Sequence, residues 1–462
     1  MTDTALLAGD ARLLTLKIAA PGVIAMLASS ACQLLEALVL SRNDAPLAAA
    51  VGACLALILL EQTVGFTLGM GAGSFVSRCI GRAGGSGQVP EAAEQAAATA
   101  FFAALALSLL LLAVGFFPAA ALLRLLGAPE SAVPTGVPYA RYVLADGPLL
   151  CGALVLSSLL RAQGKTLPYM VAALVGSALG TALLFFLCAR LHWGVHGAGI
   201  AMLAREAATL GVLLAYTLRR RELIRPSLRR VRLTTAVFAD IMRSGLPTLL
   251  RQGATSLSAA MLSRVSSGFG APVLAGMGLC ARAVMPFASA VIGLGQGFQP
   301  VCGAAFGANQ IPRCRAAYRF CGRVLFVFSL AVGAAVFAFA PTLAARFAPD
   351  AQTADVARAA LRLQSLVFFA QSAVILMTML TQAMGQTIRA SLVATSRQGL
   401  FFLPLLLLLP RIFGLWGLLA CQSVSDLVSL VFSWLLTRRV FTFPPPADGG
   451  NAKPRVLKYS SS

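Results

Sequence analysis

Six carboxylates interrupt or border otherwise apolar stretches of this 462-residue chain: Glu36, Glu61, Glu206 and Asp426 inside them, Asp146 and Asp240 near their ends. An acid in such surroundings can bind a cation or take up a proton. It can also serve packing, held by a guanidinium or a helix N-terminus. Keeping it charged at mid-membrane costs roughly 2.5–3.5 kcal/mol. Glu36 lies in the middle of the first apolar run and is the leading candidate for chemistry. A proton arriving from one side would neutralise it and release a bound cation; losing that proton on the other side would rebuild the cation site. Glu61 is a cleft or gating candidate, with a packing role as the alternative. Glu206 and Asp426 stand 220 positions apart, in equivalent places of a repeat described next. Their plain reading is structural hydrogen bonding near a seam. Arg205 directly precedes Glu206, and adjacent helical residues point to different faces, so the two are not expected to neutralise each other.

The elements that must position these acids are written twice. A shift of 226 carries Pro21 to Pro247, Gly52 to Gly278, Gly69 to Gly295, Gly71 to Gly297 and Gly81 to Gly307. Later a shift of 221 carries Gly164 to Gly385, and one of 220 carries Gly194 to Gly414 and Gly197 to Gly417. The chain is 58% hydrophobic and 11% charged, against about 25% charged in soluble domains, which excludes a soluble protein. About 20 apolar residues span a bilayer core. Twelve such segments are expected, near 13–40, 47–78, 95–117, 138–160, 168–191, 196–218, 240–266, 272–300, 317–346, 358–383, 389–410 and 416–437. Six spans per half give both halves one orientation, so the copies are parallel repeats with a site between them. The expected fold is an all-α membrane protein: twelve transmembrane helices in two six-helix lobes around a central cleft. The N-terminal lobe takes 1–220, a basic cytoplasmic connector 221–239, the C-terminal lobe 240–440, and a Pro/Gly-rich disordered tail 441–462.

The net charge of +21 collects at helix ends. Arg219, Arg220, Arg221, Arg225, Arg229 and Arg230 lie in or beside the connector, Arg313, Arg315, Arg319 and Arg323 form a second group, and Arg438, Arg439 and Lys453 a third. All fall on one side if the helices alternate, which places both termini in the cytoplasm. The charge therefore reads as topological and lipid-facing, with the bilayer and not nucleic acid as partner. Arg78, Arg161 and Arg397 read as snorkelling anchors at that interface. Gln296 and Gln299 are either cleft-lining or buried packing groups. The ten cysteines include no CxxC pair, so neither a disulfide framework nor a metal site is expected. His192 and His196 flank Gly194 in a turn, and Gly164-Lys165-Thr166 lacks the upstream glycine of a phosphate loop. With no catalytic set and no ATP motif, the chain reads as a non-enzyme driven by a gradient, without cofactors beyond H+ or Na+ as coupling ion.

The run Gly293-Leu294-Gly295-Gln296-Gly297-Phe298-Gln299-Pro300, with Gly303 and Phe306-Gly307-Ala308, resembles the eighth-helix signature of the multidrug and toxic compound extrusion (MATE) family. Its first-half counterpart, Gly69-Met70-Gly71-Ala72-Gly73-Ser74, does too. So do Leu160-Arg161-Ala162-Gln163-Gly164-Lys165, Gln382-Ala383-Met384-Gly385 and Arg397-Gln398-Gly399. The branch resembled is the bacterial DinF-like one. The resemblance implies a monomeric antiporter of the bacterial cytoplasmic membrane that expels small organic cations by alternating access. It puts Glu36 where the family's first helix carries an Asp, with Gln33 where an Asn is common. The seventh-helix Asn becomes Ser263. The fifth-helix Asn and Asp-Pro positions read Gly180, Leu184 and Phe185. A carboxylate of the usual network is thus missing, and Glu206 is a candidate to replace it. A flippase for a lipid-linked intermediate and an uncoupled carrier remain as alternatives. A flippase should have a strongly cationic cleft, whereas Glu36 adds negative charge.

Overall fold

In the computed structural model the description covers residues 6–7, 9–43, 50–84, 90–128, 130–220, 224–231 and 235–441. The expected disordered tail, 441–462, lies outside the described residues apart from its first position. A chain in hydrocarbon must satisfy its backbone internally, and this one does so with helices. The first half builds α1 (Ala11–Asn43), α2 (Ala50–Arg82), α3 (Glu91–Gly115), α4 (Val133–Ala162), α5 (Thr166–Arg190) and α6 (Gly194–Arg219). The second begins with α7 (Thr235–Ser267), α8 (Ala271–Gly307) and α9 (Ile311–Phe347). Next, α10 is a bent pair, Ala351–Leu366 and Phe368–Ala383, with 54° between its parts. The final run Thr387–Arg438 breaks at Gly414, where φ is 57° and ψ −135°. Its two sides are α11 (387–413) and α12 (415–441).

Nine of the described helices are long and apolar enough to cross a membrane, and the bent pair makes ten. The break at Gly414 divides one run into two spans. The remaining rod, α7, carries Ser, Thr and Gln around Arg251 and is correspondingly less apolar. The repeat survives as geometry. Gly164 and Gly385 both have φ 73°, and Gly194 and Gly414 have φ 50° and 57°. The first two end α4 and α10 in the same left-handed cap: Lys165 N–H reaches Leu160 O at 2.9 Å, and Gln386 N–H reaches Thr381 O at 3.0 Å.

Three helix ends depart from expectation, α8 by continuing past Pro300 and the other two by polar first turns. Helix α8 runs to Gly307, not 300; α9 starts at Ile311, not 317; α10 starts at Ala351, not 358. These extra turns carry Arg313, Arg315 and Asp355, which hydropathy cannot distinguish from loop. The connector docks on the first lobe. Ile224 is buried and donates its N–H to Gln163 Oε1 at 3.0 Å, and Arg230 pairs with Glu94.

The lobes meet where α1 and α2 pack along α7 and α8. A methyl group at Gly81 would strike the Ala304 carbonyl, and one at Gly307 the Arg78 carbonyl; one at Gly71 would strike Ile241 O, and one at Gly297 Ala19. Shifting Arg78 by 226 gives Ala304, and shifting Ala19 gives Gly245, Gly71's other neighbour. The seam is therefore two-fold symmetric and built backbone on backbone, which favours dispersion contact in lipid. In α2 the buried residues gather from Thr67 to Gly81, and in α8 from Ala290 to Ala305. Both clusters lie at the end of the bundle where the connector runs. Towards the other end Gln33, Leu35 and Met285 are exposed. The lobes are in backbone contact on the connector side, and Ser30 Oγ still reaches Ser289 Oγ across them at 2.9 Å one turn before Gln33 and Met285.

Candidate functional site

Helices α1, α2, α4, α5 and α6 enclose a cavity of about 200 Å³ within the first lobe. Five charged side chains line it: Glu36, Glu61, Asp146, Arg205 and Glu206. The approach of α5 to α6 sets their arrangement. At Gly176 a methyl would overlap Thr209, and at Gly180 it would lie 2.8 Å from the Arg205 side chain. These two glycines, one turn apart, let α6 settle against α5 and give the Arg205 stem its channel. Its Nη1 donates to Glu36 Oε2 at 3.1 Å and Oε1 at 3.3 Å; its Nε donates to Glu206 Oε1 at 3.1 Å. Thr181 Oγ1 adds a 3.4 Å bond to Glu36. The expectation that Arg205 and Glu206 would not neutralise each other is overturned. The guanidinium fork presents donors on several sides, so it spans the angle between helical neighbours and reaches α1 as well.

Glu61 and Asp146 are placed differently. Glu61 is 1% exposed, and neither carboxyl oxygen has a hydrogen-bond partner. Asp146 is 3% exposed, with Oδ1 unpartnered. The Glu61 carboxyl lies against α4 at Gly147, where a methyl would come within 2.6 Å of Oε1. Four carboxylates thus share a chamber with one guanidinium. Gln33 also lines this chamber from α1. Leu184, at the position of the missing acid, is simply buried.

The second lobe holds a cavity of about 340 Å³ in the equivalent place. The repeat shifts carry first-cavity residues Ser29, Ile58, Leu150, Ser177 and Met202 to second-cavity residues Thr255, Val284, Gln371, Gln398 and Gln422. Glu36 maps to Leu262. The wall here is amide-rich: Gln364, Gln371, Gln398 and Gln422, with Arg397. Asp426 is fully buried, accepting from Arg397 Nε at 2.7 Å and Gln422 Nε2 at 2.9 Å. That is the structural role weighed for it, and it stands behind the wall of this second cavity.

The remaining candidates fall elsewhere. Ser263 is exposed on α7 and lines neither cavity. Gln296 and Gln299 are buried at the seam beside a pocket of about 20 Å³. Gln299 Nε2 donates to Gln382 Oε1 at 3.1 Å and to Ser74 Oγ at 3.4 Å, whereas the buried Gln296 Oε1 has no partner. The arginines expected as interfacial anchors are not anchors. Arg78 is buried and crosses the seam, donating to Gln382 O and Ala383 O at 3.3 Å and to Ser244 Oγ at 2.9 Å. Arg161 is buried over the Tyr169 ring at 4.6 Å and bonds Ser158 at 2.9 Å. Arg397 holds Asp426. The length that lets arginine snorkel also lets it reach inward. Sequence reasoning missed Arg205 as the hub. An arginine in mid-span facing a Gly-xxx-Gly pair, Gly176 and Gly180, was the available signal.

A family model, MatE, matches residues 21–186 and 247–408, one match in each half. The multidrug export protein MepA of Staphylococcus saprophyticus is 22% identical over 408 residues, covering 86% of this chain and 88% of the relative. MepA of Staphylococcus aureus is 21% identical over 402 residues, with the same coverage. Among solved structures, an outward-facing multidrug resistance MATE family transporter of the MOP superfamily superposes with a TM-score of 0.88 at 23% identity, over 96% of this chain and 98% of that one. A MOP superfamily transporter from Pyrococcus furiosus gives 0.87 at 22%, over 95% and 98%. At these identities the structural likeness speaks for the fold.

Proposed function

We infer the function from one premise: the chain belongs to the MatE family of membrane transporters. We propose that it is a secondary exporter of cationic, amphipathic small molecules, driven by the inward movement of protons or sodium. The observation that carries this reading is the first-lobe chamber, where Glu36, Glu61, Asp146 and Glu206 face a single Arg205. An excess of acids in a site walled by apolar side chains attracts an organic cation and repels a pyrophosphate headgroup, which speaks against the flippase. The MepA relatives are multidrug export proteins, which supports export of small molecules.

The positive-inside rule puts the connector and both termini in the cytoplasm of a bacterial cell. The glycine-packed end of the seam then faces the cytoplasm. Alternating access follows if the lobes rock about the glycine seam, and each copy of the chain, carrying both lobes, works as a monomer. One charge crossing about 100 mV supplies roughly 2.3 kcal/mol, enough for a gradient of about forty-fold in a neutral substrate at 1.4 kcal/mol per tenfold; for a monovalent cation exchanged one for one the charges cancel, and the pH or sodium gradient alone drives export.

Reconstitution in proteoliposomes with ethidium as the probe tests this reading. Accumulation should follow an imposed pH or sodium gradient, and Glu36→Gln should abolish it. Ethidium movement indifferent to both gradients, or normal accumulation by the Glu36 variant, would refute the coupled exporter.

A further inference from the structure

We propose that Glu61 and Asp146 form a proton-binding pair at the wall of the first-lobe chamber, beside the Glu36–Arg205–Glu206 cluster. Among the described residues the one guanidinium lining the chamber is already hydrogen-bonded to Glu36 and Glu206, each at 3.1 Å. Glu61 and Asp146 are buried, and three of their four carboxyl oxygens lack any hydrogen-bond partner. Two buried carboxylates without hydrogen-bond partners would carry both the desolvation cost and repulsion, which on Asp146 comes from Glu206 as well as Glu61 and is only partly offset by Arg205. A proton on the pair removes both.

The surroundings select a proton over a larger cation. Helices α2 and α4 are pressed together: a methyl at Gly65 would lie 2.7 Å from Leu154 and 3.2 Å from the Cys151 backbone. The Glu61 carboxyl is held against Gly147, beside Asp146. Three open oxygens in so tight a joint are too few for a hydrated metal ion. Pro148 follows in the same turn and offers no N–H to the Leu144 carbonyl, so that turn has an acceptor to spare for a carboxylic O–H. The titratable groups facing the pair are Cys32 and Glu36 from α1, Cys54 from the start of α2, Tyr139 and Cys151 from α4, Tyr169 from α5, and Arg205 with Glu206 from α6. Helix α3 presents no titratable side chain between Thr99 and Gly115.

The proton passes from water in the open chamber to a carboxylate oxygen, leaving a neutral acid. It returns to water when the chamber opens to the opposite side. This place in the cycle rests on the exporter reading above; the pair's existence as a proton site does not.

Infrared spectroscopy of the purified protein in lipid separates the two. At neutral pH wild type and Glu36→Gln should both show a protonated-carboxyl C=O band that shifts in D2O. Glu61→Gln and Asp146→Asn, each near-isosteric and checked for folding by gel filtration, should weaken it, and the double variant should abolish it. Added sodium should leave the band unchanged. In proteoliposomes the double variant should lose the pH-driven part of ethidium accumulation, about tenfold per pH unit imposed for one proton exchanged per ethidium. No such band in wild type, its persistence in the double variant, its removal by sodium, or normal pH-driven accumulation by the double variant would each overturn the proposal. If wild type moves no ethidium while the band behaves as stated, the exporter reading fails and the proton site stands.

Discussion

Arg205 is the one cation holding two acids of the first chamber, and its removal should show first in stability. Arg205→Ala leaves Glu36 and Glu206 without counter-charge in a low-dielectric wall, a loss of about 3 kcal/mol, the lower end for breaking a buried pair. The lower end applies because Glu36 and Arg205 keep some exposure to the chamber. The expected result is a lower thermal-unfolding midpoint in detergent, with part of the loss restored when Glu206→Gln is added. An unchanged midpoint would mean that chamber water already screens the acids. At this scale the sequence revealed acids better than their partners. Glu36 and Glu61 stand out because charge is rare in apolar runs. The Arg205–Glu206 contact does not, because helical geometry describes where Cβ atoms point, and a four-atom stem with a planar fork can disregard it.

Helix contacts depend on glycines more than on any apolar side chain. Gly71 touches the Ile241 carbonyl and Gly245, so the α2–α7 approach leaves no room for a single methyl. Gly71→Ala should push α7 outward and weaken the connector-side closure. Hydrogen–deuterium exchange of the α7 amides near Gly245 should then rise relative to those of α4, and equal protection in the variant would contradict the tight seam. This part of the fold was legible. The doublets Gly69–Gly71 and Gly295–Gly297, repeated at one spacing, announce close packing and its two-fold arrangement. Helix ends were less legible, because the first turns of α9 and α10 are polar yet still helical, and Pro300 sits inside α8 without ending it. The bend in α10 left no hydropathic trace either, since Ala351–Leu366 is amphipathic and its Arg358 and Arg362 read as surface.

For the molecule as a whole, Arg78 is the asymmetric part of an otherwise symmetric seam, since its repeat counterpart is Ala304. It caps the carbonyl end of α10 from the opposite lobe, where the helix dipole favours a cation. Losing charged hydrogen bonds worth about 1.5 kcal/mol net should shift the closed-to-open ratio about tenfold. Arg78→Gln should therefore speed labelling of the adjacent Cys79, buried in this state, by a membrane-impermeant maleimide, with the labelled site mapped by mass spectrometry. Labelling at the wild-type rate would show that the latch carries no weight. The two-lobe plan could be read from the repeat alone. The excess of acids in the first half could be read there too; that two of them share Arg205 beside an amide-lined counterpart could not, because helix contacts decide which side chains meet. The pairing of the two cavities has a corollary for engineering. The twin compartments share a floor plan, but only one is furnished with acid residues along its wall. A chain spliced from two copies of the second half would keep the scaffold and its hinge, and would have amide-lined rooms on both sides. It would have nothing to hold the driving ion, so the halves are duplicates in shape and no longer substitutes for each other.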